Sequence, residues 1–96
     1  MEEDKSKLWT DIGFIIASKY RIKILKVLIN SEKTPKLISN ETKISINHVS
    51  NVLKELLDKN IINILNPNMK KGRLYQISNK GKKIHSIITK IEDDIF

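Results

Sequence analysis

The sequence contains no cysteine, which excludes disulfide bonds, thiolate zinc sites and cysteine-based redox or arsenic sensing. No apolar run approaches the roughly 20 residues that a membrane-spanning helix needs. The first residues, MEEDKSK, are polar and acidic, unlike those of a signal peptide. A glycine-rich phosphate loop is also absent. These absences favour a cytoplasmic protein without a nucleotide cofactor.

Aromatic residues are scarce, at 5% of the chain, whereas hydrophobic residues of all kinds make up 40%. The core is therefore expected to be aliphatic and dominated by isoleucine. A chain of 96 residues can form one small domain with a single core. No repeat, linker or low-complexity segment divides it, so we predict one domain over residues 1–96.

Acidic residues are outnumbered by basic ones, 11 to 18, which gives a formal net charge of +7. The segment 70–90 holds lysine and arginine but no acid, and a second basic group lies within 19–26. The acids gather near the two ends of the chain. This distribution predicts a basic face with acidic tails pointing elsewhere. A basic face favours a polyanion, with nucleic acid ahead of an anionic membrane surface.

The segment 45–60 has the clearest amphipathic pattern. One side is a valine and leucine stripe at three- and four-residue spacing, formed by Val49, Val52, Leu53, Leu56 and Leu57. The other side is polar and carries no acid, with Asn47, His48, Ser50, Asn51 and Lys54. Ser45 is placed to cap this helix and Asn60 to end it. The pattern predicts a helix held on a small core by its stripe.

The remaining periodicity surrounds that helix with shorter elements. In chain order, the predicted elements are helices over 6–18, 19–30, 37–42 and 45–60, strands over 61–65 and 73–77, and a helix over 79–94. Ser18 and Ser78 are expected to cap two of the helices, and the turn formers and basic residues of 66–72 to close a hairpin. The predicted fold class is mainly α with a small β-hairpin.

This order resembles the winged helix-turn-helix regulators of the ArsR and MarR type. The stretches that carry the resemblance are 18–25, like the opening of the family's core helix; 44–56, like its turn and recognition helix; 59–62, like its helix-to-wing junction; and 71–81, like the end of its wing. The resemblance covers about 18–84 and leaves 6–18 and 79–95 as flanking helices. Two positions depart from the family pattern. Lys43 stands where glycine is usual, at a cost of about 1 kcal/mol, and Lys36 where a capping serine or threonine is usual.

The recognition helix and the hairpin supply the candidate DNA contacts. In the major groove, asparagine suits adenine, a serine hydroxyl can donate or accept, and an apolar side chain can meet a thymine methyl. The candidates there are Asn47 and Asn51 for adenine, Ser50 for either role, Ile46 for thymine, and His48 for guanine or phosphate. Candidates for the backbone or a narrow minor groove are Lys70, Lys71 and Arg73 of the hairpin. Lys54, Thr34 and Lys36 are candidates for phosphate contacts. The alternative is ordinary surface polarity, but two asparagines early in a helix run against helix propensity.

The terminal helices carry more apolar side chains than one small core should need. The resemblance to these regulators implies that the first and last helices pair across a two-fold axis. Such a dimer would place two recognition helices about 34 Å apart. The predicted dimer interface consists of Leu8, Trp9, Ile12, Ile16, Ile84, Ile87, Ile88, Ile91 and Ile95. The alternative is that these helices pack only on their own core.

Three functions remain open from the sequence. The first is a homodimeric, sequence-specific transcription regulator that binds double-stranded DNA; the second is an architectural DNA-binding protein; the third is a protein-interaction module. An enzyme is not expected, because His48 and His85 lack convincing partners at ligand spacing. His85 with Glu92 or Asp93 at a dimer interface is the weaker alternative of a zinc site. No metal, cofactor or small-molecule effector is evident.

Overall fold

A computed structural model describes the backbone of residues 2–95 and the side chains of residues 5–94. The elements in this part of the chain are α1 (Glu2–Ile16), α2 (Lys19–Leu28), α3 (Pro35–Thr42), α4 (Ile46–Asp58), β1 (Ile62–Ile64), β2 (Tyr75–Ile77) and α5 (Asn79–Ile95). The predicted class, mainly α with one hairpin, and the predicted order are confirmed. Within residues 2–95, none of the helices has both the length and the hydropathy to cross a lipid bilayer.

Side-chain caps fix where the helices begin. The Ser18 hydroxyl accepts the backbone N–H of Arg21 at 3.3 Å, and the Ser78 hydroxyl accepts that of Gly81 at 3.0 Å. Both caps were predicted. The short helix begins at Pro35 rather than at 37, because Thr34 caps it and proline suits the first helical position. The capping residue that the family usually has at position 36 is therefore replaced by Thr34, two residues earlier.

Several predicted boundaries move. The first helix covers 2–16 instead of 6–18, because Ser18 is extended and already caps the next helix. The second helix ends at Leu28 rather than at 30, and the strands shorten to three residues each. Asn60 has a φ of 59°, so it ends the long helix in the left-handed conformation that asparagine tolerates.

The two strands form an antiparallel hairpin with Ile62 opposite Ile77 and Ile64 opposite Tyr75. Tyr75 also pairs with Lys33 through two backbone hydrogen bonds, of 3.0 and 2.9 Å. The sequence analysis assigned no strand to the segment around Lys33. Its single β-bridge covers the free edge of β2 and ties the base of the hairpin to the connection between α2 and α3.

The core is aliphatic, as predicted. Its buried side chains come from all five helices and from the hairpin: Ile12, Ile15, Ile24, Leu25, Leu28, Ile38, Ile44, Val49, Val52, Leu53, Leu56, Ile61, Ile62, Ile77, Ile84 and Ile88. The stripe of α4 lies at the centre of this core, with Leu57 at its margin. Burying such side chains contributes about 1.5–3 kcal/mol each.

A buried acid ties three helices together. Asp11 of α1 is buried and lies 2.6 Å from the Lys80 ammonium of α5, with the Lys59 ammonium 3.7 Å away. Lys80 also donates to the backbone carbonyl of Lys59 at 2.7 Å, just beyond the end of α4. Because a buried carboxylate that loses its partner is costly, this network fixes α1 against the end of α4.

The predicted dimer interface is partly wrong. Ile12, Ile84 and Ile88 are buried in the chain's own core, so no surface of theirs is left for a partner. Trp9 and Ile16 are instead exposed, at 60% and 44%. Leu8, Ile87 and Ile91 lie at the core margin. The side chain of Ile95 lies outside the described residues.

The first prediction concerns Gly81, which packs against the base of the hairpin. A Cβ at this position would overlap the carbonyl oxygen of Ile61 and the side chain of Ile77. Gly81→Ala should therefore lower the free energy of unfolding by about 1–3 kcal/mol, measured by urea denaturation. Ser86→Ala, at an exposed position of the same helix, should change it by no more than about 0.5 kcal/mol. Equal effects of the two variants would contradict the packing described.

Candidate nucleic-acid interface

The first turns of α4 present an uncovered polar surface. Asn47, Ser50, Asn51 and Lys54 are exposed, while Val49 and the rest of the stripe are buried on the opposite side. The surface holds amide, hydroxyl and ammonium groups, which can donate to or accept from the edges of bases. The exposed Ile46 adds an apolar contact at its start. The polar side of α4 predicted from sequence, which we call the polar ridge (Asn47, His48, Ser50, Asn51 and Lys54), is therefore accessible.

His48 is held from two sides at the start of α4. The Ser45 hydroxyl accepts the backbone N–H of His48 at 3.4 Å and lies 3.0 Å from its Nδ1. The Tyr20 ring of α2 lies beside the imidazole, with 5.2 Å between the ring centroids. If the Ser45 hydroxyl gives its proton to Nδ1, the other ring nitrogen carries the hydrogen and is a donor. Such a donor suits guanine or a phosphate oxygen.

The turn before α4 has the backbone conformation expected of this layout. Lys43 has a φ of 64°, which is the left-handed region that glycine usually occupies. Its backbone N–H donates to the Ser39 carbonyl at 2.9 Å, which closes the last turn of α3. The Thr42 hydroxyl accepts the N–H of Ile44 at 3.3 Å. These bonds hold the lysine in place of the expected glycine.

The hairpin loop 66–73 is ordered by its own polar groups. Asn66 accepts the backbone N–H of Leu74 at 2.7 Å and donates to the Gly72 carbonyl at 3.2 Å. Gly72 has a φ of 67°, which favours glycine. Arg73 is half-buried and donates from Nε to the Met69 carbonyl at 2.8 Å. Lys70 and Lys71 are exposed at the tip of the loop.

The two candidates at α3 differ in availability. The Thr34 hydroxyl is engaged as the cap of α3, where it accepts the Leu37 N–H at 3.2 Å. Lys36 is exposed. Thr34 can therefore meet a phosphate only through the remaining capacity of its hydroxyl, whereas the Lys36 ammonium is accessible.

Comparison with solved structures identifies this arrangement. The homodimeric winged helix-turn-helix DNA-binding domain from Mycobacterium bovis, a possible ArsR-family transcriptional regulator, superposes with a TM-score of 0.74 at 17% identity, over 97% of this chain and 85% of that one. The chain has the winged-helix fold. MepR from S. aureus, solved as a DNA complex, gives 0.72 at 19% identity over 98% and 79%. The predicted DNA-binding transcriptional regulator from E. coli gives 0.70 at 20% over 95% and 93%. No protein-family model matches the sequence, and no curated protein sequence matches it significantly.

Within this winged helix, an arginine that the sequence analysis did not single out anchors α4. The guanidinium of Arg21 contacts the Glu55 carboxylate at 2.9 and 3.3 Å and donates to the Phe14 carbonyl at 2.9 Å. It also lies over the Phe14 ring, 3.6 Å from the centroid. The sequence signal that could have indicated this ion pair was Glu55. It is the one acid in α4 before Asp58, in a stretch that is otherwise neutral or basic. Arg21 thus joins the winged helix's α1, α2 and α4.

His85 is set back from this surface, on α5. Burial lowers its pKa, and the nearby positive charge of Lys26 lowers it further, while Glu92 opposes both effects. Glu92 is itself paired with Lys26, at 3.0 Å. Among the side chains of residues 5–94, no three histidine or acidic groups converge as metal ligands.

The second prediction concerns the hairpin loop 66–73. Asn66→Ala removes the side-chain acceptor of the Leu74 N–H, a bond worth about 0.5–1.5 kcal/mol. Hydrogen exchange of the Leu74 amide should therefore quicken roughly 2- to 13-fold, as read by NMR. Asn68→Ala, at an exposed position of the same loop, should leave that rate unchanged. If the Leu74 amide exchanges at the wild-type rate in both variants, Asn66 does not order the hairpin loop.

Proposed function

We propose that the protein is a DNA-binding transcription regulator that acts as a homodimer. In this proposal α4 lies in the major groove and the wing loop 66–73 contacts the backbone or the minor groove. The observation that carries it is the accessible polar ridge of α4, free of acid in its first turns and backed by a buried stripe. The winged-helix neighbours support it, one of them solved in complex with DNA.

In this proposal, the polar side chains of α4 and the basic side chains around them have different roles. Asn47 and Asn51 are one turn apart on α4, and each amide can bond bidentately to adenine. Ser50 and His48 supply further donors at neighbouring positions, and Ile46 a methyl contact. These contacts determine which sequence is preferred, whereas the ammonium and guanidinium groups of Lys36, Lys54, Lys70, Lys71 and Arg73 determine affinity and its dependence on salt.

The homodimer is supported by the exposed side of α1. Trp9, Gly13 and Ile16 follow one another at helical spacing and are all exposed, so they form an apolar stripe with a small residue in its middle. A second copy would cover this stripe, together with the half-exposed Leu8, Ile87 and Ile91. The M. bovis domain, which matches 97% of this chain, is homodimeric.

Selection of bound duplexes from a random pool, followed by competition binding, tests the function. A regulator should prefer its selected site to random duplex by about 10³-fold or more. The net charge of +7 keeps an architectural DNA-binding protein as the second candidate, and that protein would show almost no preference. A purified protein that ignores duplex DNA would point to a protein-interaction module and overturn the proposal.

The third prediction separates the ridge from the wing. Asn51→Ala should relax preference at one base pair of the selected site and cost roughly 1–3 kcal/mol there. Lys71→Ala should weaken binding to every duplex alike and reduce the salt slope by about one. Fluorescence anisotropy titrations at several salt concentrations measure both effects. Identical behaviour of the two variants would contradict the division of roles.

The fourth prediction concerns the dimer. Ile16→Glu places a charge in the exposed stripe of α1 and should raise the dimer dissociation constant at least about tenfold, because a buried unpaired charge is costly. Leu37→Glu is the matched control, since Leu37 is 43% exposed against 44% for Ile16 but lies on α3. Sedimentation equilibrium should find the control as dimeric as the wild type. A monomeric wild type would end the dimer proposal.

A further inference from the structure

We propose that α2 contributes a further DNA contact, in which Lys19, Tyr20 and Lys23 bind the phosphate backbone beside the groove that α4 occupies. This inference rests on the proposed function. It adds to the helix and the wing a surface on an element that the sequence analysis treated as part of the core. We call these residues the α2 patch.

The position of the patch follows from the contact between Tyr20 and His48. The two ring centroids are 5.2 Å apart and the ring planes are inclined by 46°. His48 belongs to the first turn of α4, so this contact brings the start of α2 alongside the DNA-facing end of the recognition helix. Through Tyr20, the α2 patch therefore adjoins the polar ridge of α4.

Tyr20 is not part of the hydrophobic core. The buried residues of α2 are Ile24, Leu25 and Leu28, whereas Tyr20 is 42% exposed. Its ring packs on another exposed ring, and its hydroxyl makes no hydrogen bond within the described residues. A tyrosine hydroxyl at the edge of a DNA-binding surface can donate to a phosphate oxygen. The ring thus positions both His48 and its own hydroxyl.

The basic side chains of α2 fall into two groups, those that form ion pairs within the fold and those that are exposed and outside the described ion pairs. The helix has the sequence KYRIKILKVL, with no acid. Arg21 is paired with Glu55 and Lys26 with Glu92, so both are engaged within the fold. Lys19 and Lys23 are exposed, and the ion pairs of the described residues do not include them.

Lys19 and Lys23 lie one turn apart, on either side of Tyr20 in the sequence. The only carboxylate of α4 near this level, Glu55, is turned to Arg21. Two exposed ammonium groups and a phenol hydroxyl suit the oxygens of consecutive phosphates. Phosphate contacts of this kind add affinity and salt dependence without sequence preference.

The test compares two double variants with the same loss of charge. Lys19→Ala with Lys23→Ala removes the ammonium groups of the α2 patch. Lys82→Ala with Lys83→Ala removes two exposed charges of α5 at the other end of the recognition helix, where the neighbouring Lys80 bonds to Lys59. Both are titrated with the selected duplex and with random duplex over a range of salt concentrations.

The α2 variant should lose roughly 5-fold in affinity per phosphate contact near 0.15 M salt, for both duplexes equally, and its salt slope should fall by about one per contact. The α5 control should keep the wild-type slope. Tyr20→Phe should weaken binding with no change of slope, because no charge is lost. Circular dichroism and thermal melting confirm that each variant is folded.

The outcomes separate this inference from the proposed function. If the wild type binds duplex with a slope that Lys71→Ala reduces, but the α2 variant keeps the full slope, the α2 patch is overturned and the regulator stands. If the α2 and α5 variants lose slope equally, the effect is one of net charge and the patch is likewise overturned. A wild type that binds no duplex overturns both proposals.

Discussion

Burial of the α4 stripe is the constraint on which the rest of the structure depends. Val49, Val52, Leu53 and Leu56 are all buried, and they fix the rotation of the helix about its own axis. A helix turned by even one residue would move some 100° and bring Asn51 toward the core. The ion pair between Arg21 and Glu55 then fixes α4 along its length against α1 and α2. Apolar packing thus sets which face is outward, and a charged contact reinforces it.

The charge of the protein is used in two different ways. Some basic side chains form ion pairs within the fold: Arg21 with Glu55, Lys26 with Glu92, Lys33 with Glu41, and both Lys80 and Lys59 with Asp11. Most of the others are exposed, on the five helices, at Lys43 and at the tip of the hairpin loop. The count of 18 basic side chains therefore overstates the positive charge available to a polyanion, because five of those in the described part of the chain are paired within the fold. The distribution of unpaired charge is the more informative quantity, because only accessible ammonium groups displace counter-ions.

Much of the fold follows from local signals in the sequence. The period of α4 and the capping serines at 18, 45 and 78 are local, and the predicted elements that depend on them are confirmed. The exposure of the candidate DNA contacts on α4 follows from the same period. Which bases and phosphates these residues contact stays a prediction, as does the dimer.

What sequence reasoning missed depends on contacts between distant segments. The β-bridge of Lys33 with Tyr75 and the ion pair of Arg21 with Glu55 join residues more than thirty positions apart. The assignment of Ile12, Ile84 and Ile88 to the dimer interface was wrong for the same reason. Periodicity identifies the apolar side of a helix, but it does not tell whether the chain's own core or a partner covers that side.

The close approach of Gly81 to the base of the hairpin also bears on the far end of the hairpin. The hairpin leaves the core where Ile61 and Ile77 meet this glycine, so its direction is set there, far along the strands from the basic tip. Any side chain at position 81 would push the hairpin aside and redirect every charge at its end. In the proposed complex, a substitution at this position would therefore disturb the contacts of the hairpin tip, although Gly81 itself lies at the opposite end of the hairpin.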